Sequence, residues 1–215
     1  MTYKAILFDL DETLYPMGNP SIQLITNRMN EYIEKSLDIP VSDVKTFRED
    51  LYKTYGTTAR GLVTEYDVNL YDFLRYVHGV DISIYMEPEP EVGRMIDQIN
   101  LPKFVFTNAD RFHAIRVLKL LEIYQSFDGI IDVLDVQPYC KPEPEAFEKA
   151  FMMIGLDNPS EAIFLDDNPD NVSAAHEMGI YAIQVGSRPR TKNADAILDR
   201  IQDFPQLDIF EKIVK

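Results

Sequence analysis

Four short apolar runs, each shut off by polar residues, constrain this chain more than any other feature: Ala5 to Phe8, Phe104 to Phe106, Ala162 to Leu165 and Tyr181 to Val185. Unbroken runs of this length are the pattern of strands buried on both faces, so they predict a parallel sheet covered by helices. Ile130 to Leu134 is a fifth candidate strand. Helical stripes lie between the runs, Phe112, Ile115, Leu118 and Leu121 in one segment and Phe147, Phe151 and Ile154 in another. Asp110 is placed to cap the first, and Pro142 and Pro144 stand where a helix start tolerates a missing amide hydrogen. Strands alternating with helices beyond residue 103 give the α/β class, with a Rossmann-like parallel-sheet core.

Roughly 90 residues separate Asp9 from Pro102, whereas a complete strand–helix–strand unit needs only about 30. Most of that interval reads as helix: Ser21 to Ser36, Val41 to Lys53, Leu70 to Val77 and Glu91 to Ile99, with Pro88 and Pro90 near its far end. The expected organisation is a core made of residues 1–15 and 88–215, with a helical domain, 16–87, inserted after the first strand. The net charge of −15 and pI near 4.5 disfavour nucleic acid and anionic membrane as partners. They leave room for a small anion, because one metal ion and one lysine can invert the field inside a pocket. The single cysteine, Cys140, makes no internal disulfide and no multi-thiolate zinc site. No run reaches the 18 or so apolar residues of a membrane span, and Ala5 to Phe8 is too short for a signal-peptide core. A cytoplasmic protein is expected.

Ligands of an open parallel sheet bind beyond the carboxyl ends of its strands. Three of the runs end there in reactive groups: Phe8 leads to Asp9, Phe106 to Thr107-Asn108, and Leu165 to Asp166-Asp167. If the backbone stays extended past Asp9, Asp11 faces the same side. Four carboxylates crowded together raise one another's pKa unless a cation is present. Hard oxygen donors without His or Cys companions suit Mg²⁺, which shares its shell with phosphate. The alternative use of Asp166 or Asp167 is as N-cap of a helix starting near Pro169. Thr107, Asn108 and the amides opening the next helix are receptive to an anion, and Lys141, opening another helix, can relieve negative charge. Tyr55, Thr57, Thr58 and Arg60 are candidates for contacts with a leaving group, or alternatively a polar turn between helices. His113 reads as a surface or cap-facing histidine, and Cys140 as a small packed residue.

Asp9-Leu10-Asp11-Glu12-Thr13, Thr107-Asn108, Lys141-Pro142 and Asp166-Asp167 resemble, in order and spacing, the four motifs of the haloacid dehalogenase-like hydrolase superfamily, and the insertion resembles its C1 helical cap. The stretches FDLDETLYP, YGTTARGL, FTNADRFHAIRVLKLL, CKPEPEAF and FLDDNPDN look like its pyrimidine 5′-nucleotidase-like branch. The resemblance implies Asp9 as nucleophile forming an aspartyl-phosphate and Asp11 as general acid and base. It also implies Mg²⁺ held by Asp9, the Asp11 carbonyl and Asp167, and Thr107 and Lys141 on the phosphoryl oxygens. Many members carry a further acid four residues after the last ligand aspartate; here that position is Asn171, and Asp166 is the substitute. The expected partner is a small phosphorylated metabolite, a nucleoside monophosphate, with a sugar phosphate or other small phosphomonoester as the alternative. A phosphoacceptor of the receiver type fits less well, because its acidic pair follows the first strand and its lysine comes last. A non-catalytic binding protein would not need the whole set.

Overall fold

The computed structural model describes residues 2–214. Its strands are β1 (Ala5–Phe8), β2 (Lys103–Phe106), β3 (Gly129–Ile131), β4 (Ala162–Asp166), β5 (Tyr181–Val185) and β6 (Ala196–Leu198). All pair in parallel in the order β3-β2-β1-β4-β5-β6. The four expected strands are present. The fifth shrinks to Gly129–Ile131, and β6 is an unexpected three-residue edge.

Successive strand residues point to opposite faces, and the sheet builds two apolar layers that way. Ile6, Phe8, Ile163 and Leu165 pack on one side with α5 (Pro90–Gln98) and α6 (Arg111–Leu120). Leu7, Phe164 and Ala162 pack on the other with α7 (Pro144–Ile154) and α8 (Pro169–Glu177). The α6 stripe is rotated from the expected one: Phe112 is 68% exposed, and Ala114, Val117 and Leu118 form the buried face. α7 starts at Pro144, so Lys141 stands in the preceding loop rather than opening the helix.

The interval between β1 and β2 carries α1 (Pro20–Leu37), α2 (Val41–Tyr55), α3 (Thr58–Tyr66) and α4 (Leu70–Val77). These share an apolar cluster built on Ile33, Leu51, Leu62, Phe73 and Val77, which Val133 and Cys140 join from the sheet side. α3 replaces the expected polar turn. Thr57 caps it by accepting from the Arg60 amide at 3.0 Å. A Cβ on Gly61 would come within 2.8 Å of Leu51 and 2.9 Å of Tyr55, so only glycine lets α3 lie this close to α2.

Candidate active site

β1 sits at the point where the chain's path through the sheet reverses, with β2 on one side and β4 on the other, the position where an open sheet leaves a crevice. The Asp9 amide donates to Leu165 O at 2.8 Å, which keeps Asp9 in step with the end of β4. The extended path stops there. Thr13 and Leu14 amides turn back onto Leu10 O, and Glu12 takes φ 63°. Asp11 therefore does not point with Asp9, as a two-residue period would require. Its Oδ1 accepts from Tyr15 Oη at 2.7 Å and from His113 Nε2 at 2.8 Å.

Lys141 is the centre of the site. Its ammonium is buried and donates to Asp9 Oδ1 (2.9 Å), Asp166 Oδ2 (2.7 Å) and Phe106 O (2.7 Å), which uses all three of its hydrogens. Asn108 fixes the loop that carries it: Nδ2 donates to Lys141 O and Oδ1 accepts from Lys141 N, both at 2.9 Å. Thr107 Oγ1 accepts from the Ala109 amide at 3.0 Å at the entry to α6. Asp166 also accepts from the Asn168 amide at 2.8 Å and from Asn171 Nδ2 at 3.0 Å. The α8 cap is Asn168, which accepts from the Asp170 amide, so neither acid of the pair is spent on capping.

One oxygen from each of Asp9, Asp166 and Asp167 lies within 4.8 Å of the others. Burial and the Asp166 charge push the Asp9 carboxyl well above the usual range against the pull of Lys141. Burial and Asp166 likewise lift Asp167 to about 7, with Arg188 opposing. Hard-oxygen donors in this crowded state fit a hard divalent cation such as Mg²⁺, with Asp166 already engaged by Lys141 and Asn171. Asp11 behaves oppositely: burial works against its charge, yet His113 and Tyr15 outweigh it and hold the carboxyl at about 2.

Asp9, Asp11, Thr107, Lys141 and Asp167 all line one cavity of about 610 Å³, to which the inserted helices contribute Ile25, Met29 and Phe73 together with Arg48, Glu49 and Lys53. Thr57, Thr58 and Asn108 also line it, whereas Arg60 and Tyr55 line an adjoining cleft of about 500 Å³. Arg60 stands 3.7 Å from Glu143 there, and the Tyr55 hydroxyl turns to Glu65.

Two side chains at the site, Arg188 and His78, were not singled out from the sequence, and a third, His113, was expected at the surface or facing the cap. Arg188 bridges Asp167 and Glu12 Oε2, the latter at 2.7 Å. It lies three residues past the end of β5, on the loop after a strand, so attention to the strand ends could have found it. His113 is wholly buried, not at the surface, and faces the end of α4, where His78 stacks on it with ring centres 4.4 Å apart. No spacing rule points to that pair.

The family model for haloacid dehalogenase-like hydrolases matches residues 3–179. Phosphate metabolism protein 8 of Saccharomyces cerevisiae is 30% identical over 82% of this chain, and the match spans 60% of the yeast protein's length. Glyceraldehyde 3-phosphate phosphatase of Methanopyrus kandleri is 24% identical over 99% of both chains. Among solved structures, β-phosphoglucomutase of Clostridium difficile superposes with TM-score 0.65 at 19% identity, covering 98% of this chain and 97% of that one. With a family match over most of its length and a sheet edge that gathers the acids and lysine, the chain belongs to the haloacid dehalogenase-like hydrolases.

Proposed function

We propose that this hydrolase is a Mg²⁺-dependent phosphatase of small phosphomonoesters working through an aspartyl-phosphate on Asp9, with a nucleoside 5′-monophosphate as the favoured substrate. The observation that carries the reading is the ammonium of Lys141 locked between Asp9 and Asp166 at the floor of a cavity large enough for such a molecule. Residues 16–87 act as the cap that closes this cavity.

A carboxylate oxygen of Asp9 attacks phosphorus and the bond to the ester oxygen breaks, splitting one hard displacement into two. Asp11 gives the departing alkoxide its proton, then takes one from the water that attacks the aspartyl-phosphate, releasing phosphate and restoring Asp9. A bound phosphate dianion raises the pKa of a carboxyl beside it, the direction Asp11 needs for the first step. Lys141 and the Thr107 hydroxyl stabilise the phosphoryl oxygens. Asp9, Asp167 and the Asp11 carbonyl would hold Mg²⁺, which when bound neutralises the repulsion between carboxylate and phosphate. Asp166, filled by Lys141 and Asn171, holds the lysine instead. Asn108 acts by fixing the Lys141 loop, and Arg60 by reaching the leaving group from the neighbouring cleft.

An acid at position 11 suits an alkoxide leaving group, which needs a proton, better than a halide, which does not. Among the helical residues of the cavity, Ile25, Met29 and Phe73 offer an apolar contact that suits a flat base better than a polyol, alongside the charged Arg48, Glu49 and Lys53. Phosphate release should be measured with Mg²⁺ across nucleoside monophosphates and sugar phosphates. UMP and CMP are expected to lead, EDTA to stop release, and Asp9→Asn to abolish it. Hexose phosphates turning over equally well would end the nucleotide assignment, and turnover by Asp9→Asn would end the mechanism.

A further inference from the structure

Asp11 is held by one oxygen only. Oδ1 accepts from both His113 Nε2 and Tyr15 Oη, and among the described residues nothing donates to Oδ2. A carboxylate can only accept, so Nε2 carries the ring hydrogen. His113 Nδ1 is left buried and without a partner, an arrangement that native interiors mostly avoid. An apolar side chain would fill the space without that penalty. The ring is instead held by Asp11 at Nε2 and by His78 on its face, and neighbouring groups brace its backbone and His78. Asp110 Oδ1 accepts from the His113 amide at 2.8 Å, and its Oδ2 takes His78 Nδ1 at 2.7 Å. His78 lies flat against the His113 ring, with 21° between planes. Arg116, one turn along α6, donates to the carbonyls of His78 and Val80 at 2.8 Å each. His78 ends α4, so the segment returning from the inserted helices is tied to the helix that holds Asp11.

We infer that His113 is a positioning residue for proton transfer. It clamps Oδ1 so that Oδ2 faces the ester oxygen, and His78 braces it from the end of the inserted helices. This rests on the acid–base reading of Asp11. An activated aryl ester such as p-nitrophenyl phosphate expels its leaving group unprotonated, whereas an alkyl phosphate cannot. The readout is kcat/KM, which covers the steps up to leaving-group departure.

His113→Leu is expected to lower kcat/KM for an alkyl phosphate by about 10²-fold and for p-nitrophenyl phosphate by no more than about threefold. His113→Gln, whose amide reaches Oδ1, should recover most of the loss; His113→Asn, too short to reach, should not. The Gln and Asn variants carry the same test if His113→Leu does not fold. Asp11→Asn alone should show the same split, and adding His113→Leu to it should cost less than about twofold more. Equal losses on both esters, or a full loss in the Asp11→Asn background, would overturn the inference while leaving the phosphatase reading intact. If Asp11→Asn itself shows no split, the acid–base assignment fails and this inference goes with it.

Discussion

The sheet edge and the inserted helices handle charge in opposite ways. At the edge, Lys141, Asp9 and Asp166 are buried and each answers the others. Removing Lys141 would leave two buried carboxylates without their cation. On the helices the ion pairs, such as Lys35 with Glu31 and Arg28 with Glu31, lie toward the surface, and an apolar cluster fills the space between the helices. On the proposed function, chemistry on phosphorus would draw on the fixed charges of the edge and choice among substrates on the helices. The strongest challenge to this division is Lys141→Met. Leaving two buried carboxylates without their cation should cost about 3–5 kcal/mol, a fall in Tm of roughly 10 °C at this chain length. Phosphatase activity should drop at least about 10³-fold, and a milder loss on both measures would mean that the edge is less tightly coupled than its geometry indicates.

The same contrast explains what could be read from the sequence. Strands buried on both faces leave unbroken apolar runs, and Asp9, Thr107 and Asp167 were recognisable because each directly follows one. Lys141 follows no strand and was legible through its place between Cys140 and Pro142 in the motif order. Asp11 was legible as a residue but not as a direction, because the turn at Glu12 breaks the two-residue period. α3 was hidden: Tyr55, Thr57, Thr58 and Arg60 read equally well as a polar turn, whereas Gly61 is demanded by the close approach of Leu51 and Tyr55. The His78–His113 stack joins residues 35 positions apart whose only common feature is a shared partner network, and no local pattern encodes that.

The joint between the regions offers the next test. Cys140 sits in the helical cluster although it belongs to the loop of Lys141, and its sulfur lies 3.8 Å from Thr57 Oγ1 and Tyr55 O. Burial pushes the thiol up to about 11. At pH 8 about one molecule in 10³ is thiolate, against about one in four for a free cysteine. Iodoacetamide should label the folded protein at least about 10²-fold more slowly than the denatured chain. Labelling within about threefold of the denatured rate would show that the helices lift from the edge freely. A smaller effect is expected from Met29→Ala on the helical wall. It should shift the ratio of kcat/KM between a nucleotide and a hexose phosphate by about tenfold while changing p-nitrophenyl phosphate turnover by less than about threefold. A uniform loss across substrates would give the helices a part in the chemistry and erase the division.

The mildest effect separates the regions by the sign of their titration. Glu31 on α1 is held at about 2 by hydrogen bonds from Lys35 and then Arg28. A depressed carboxyl adds stability above its unfolded pKa, and that stability is lost as pH falls through the folded value. Glu31 is half-buried beside solvent-facing partners, so its share is small and falls in salt. Asp167 is raised to about 7, and a raised carboxyl does the reverse: its contribution is complete below the unfolded pKa near 4 and is lost as pH climbs toward 7. Without divalent cation, Tm should therefore fall by on the order of 5 °C between pH 4 and 7. The fall should persist in 0.5 M NaCl (a concentration of about the strength that screens surface pairs), because buried charges are shielded little. Asp167→Asn should flatten the slope, and saturating Mg²⁺ should hold Tm up at pH 7, since a cation bound among the ionised acids replaces the protons they have shed. If the slope survives Asp167→Asn but vanishes in salt, surface pairs on the helices govern it and the contrast in charge handling is wrong.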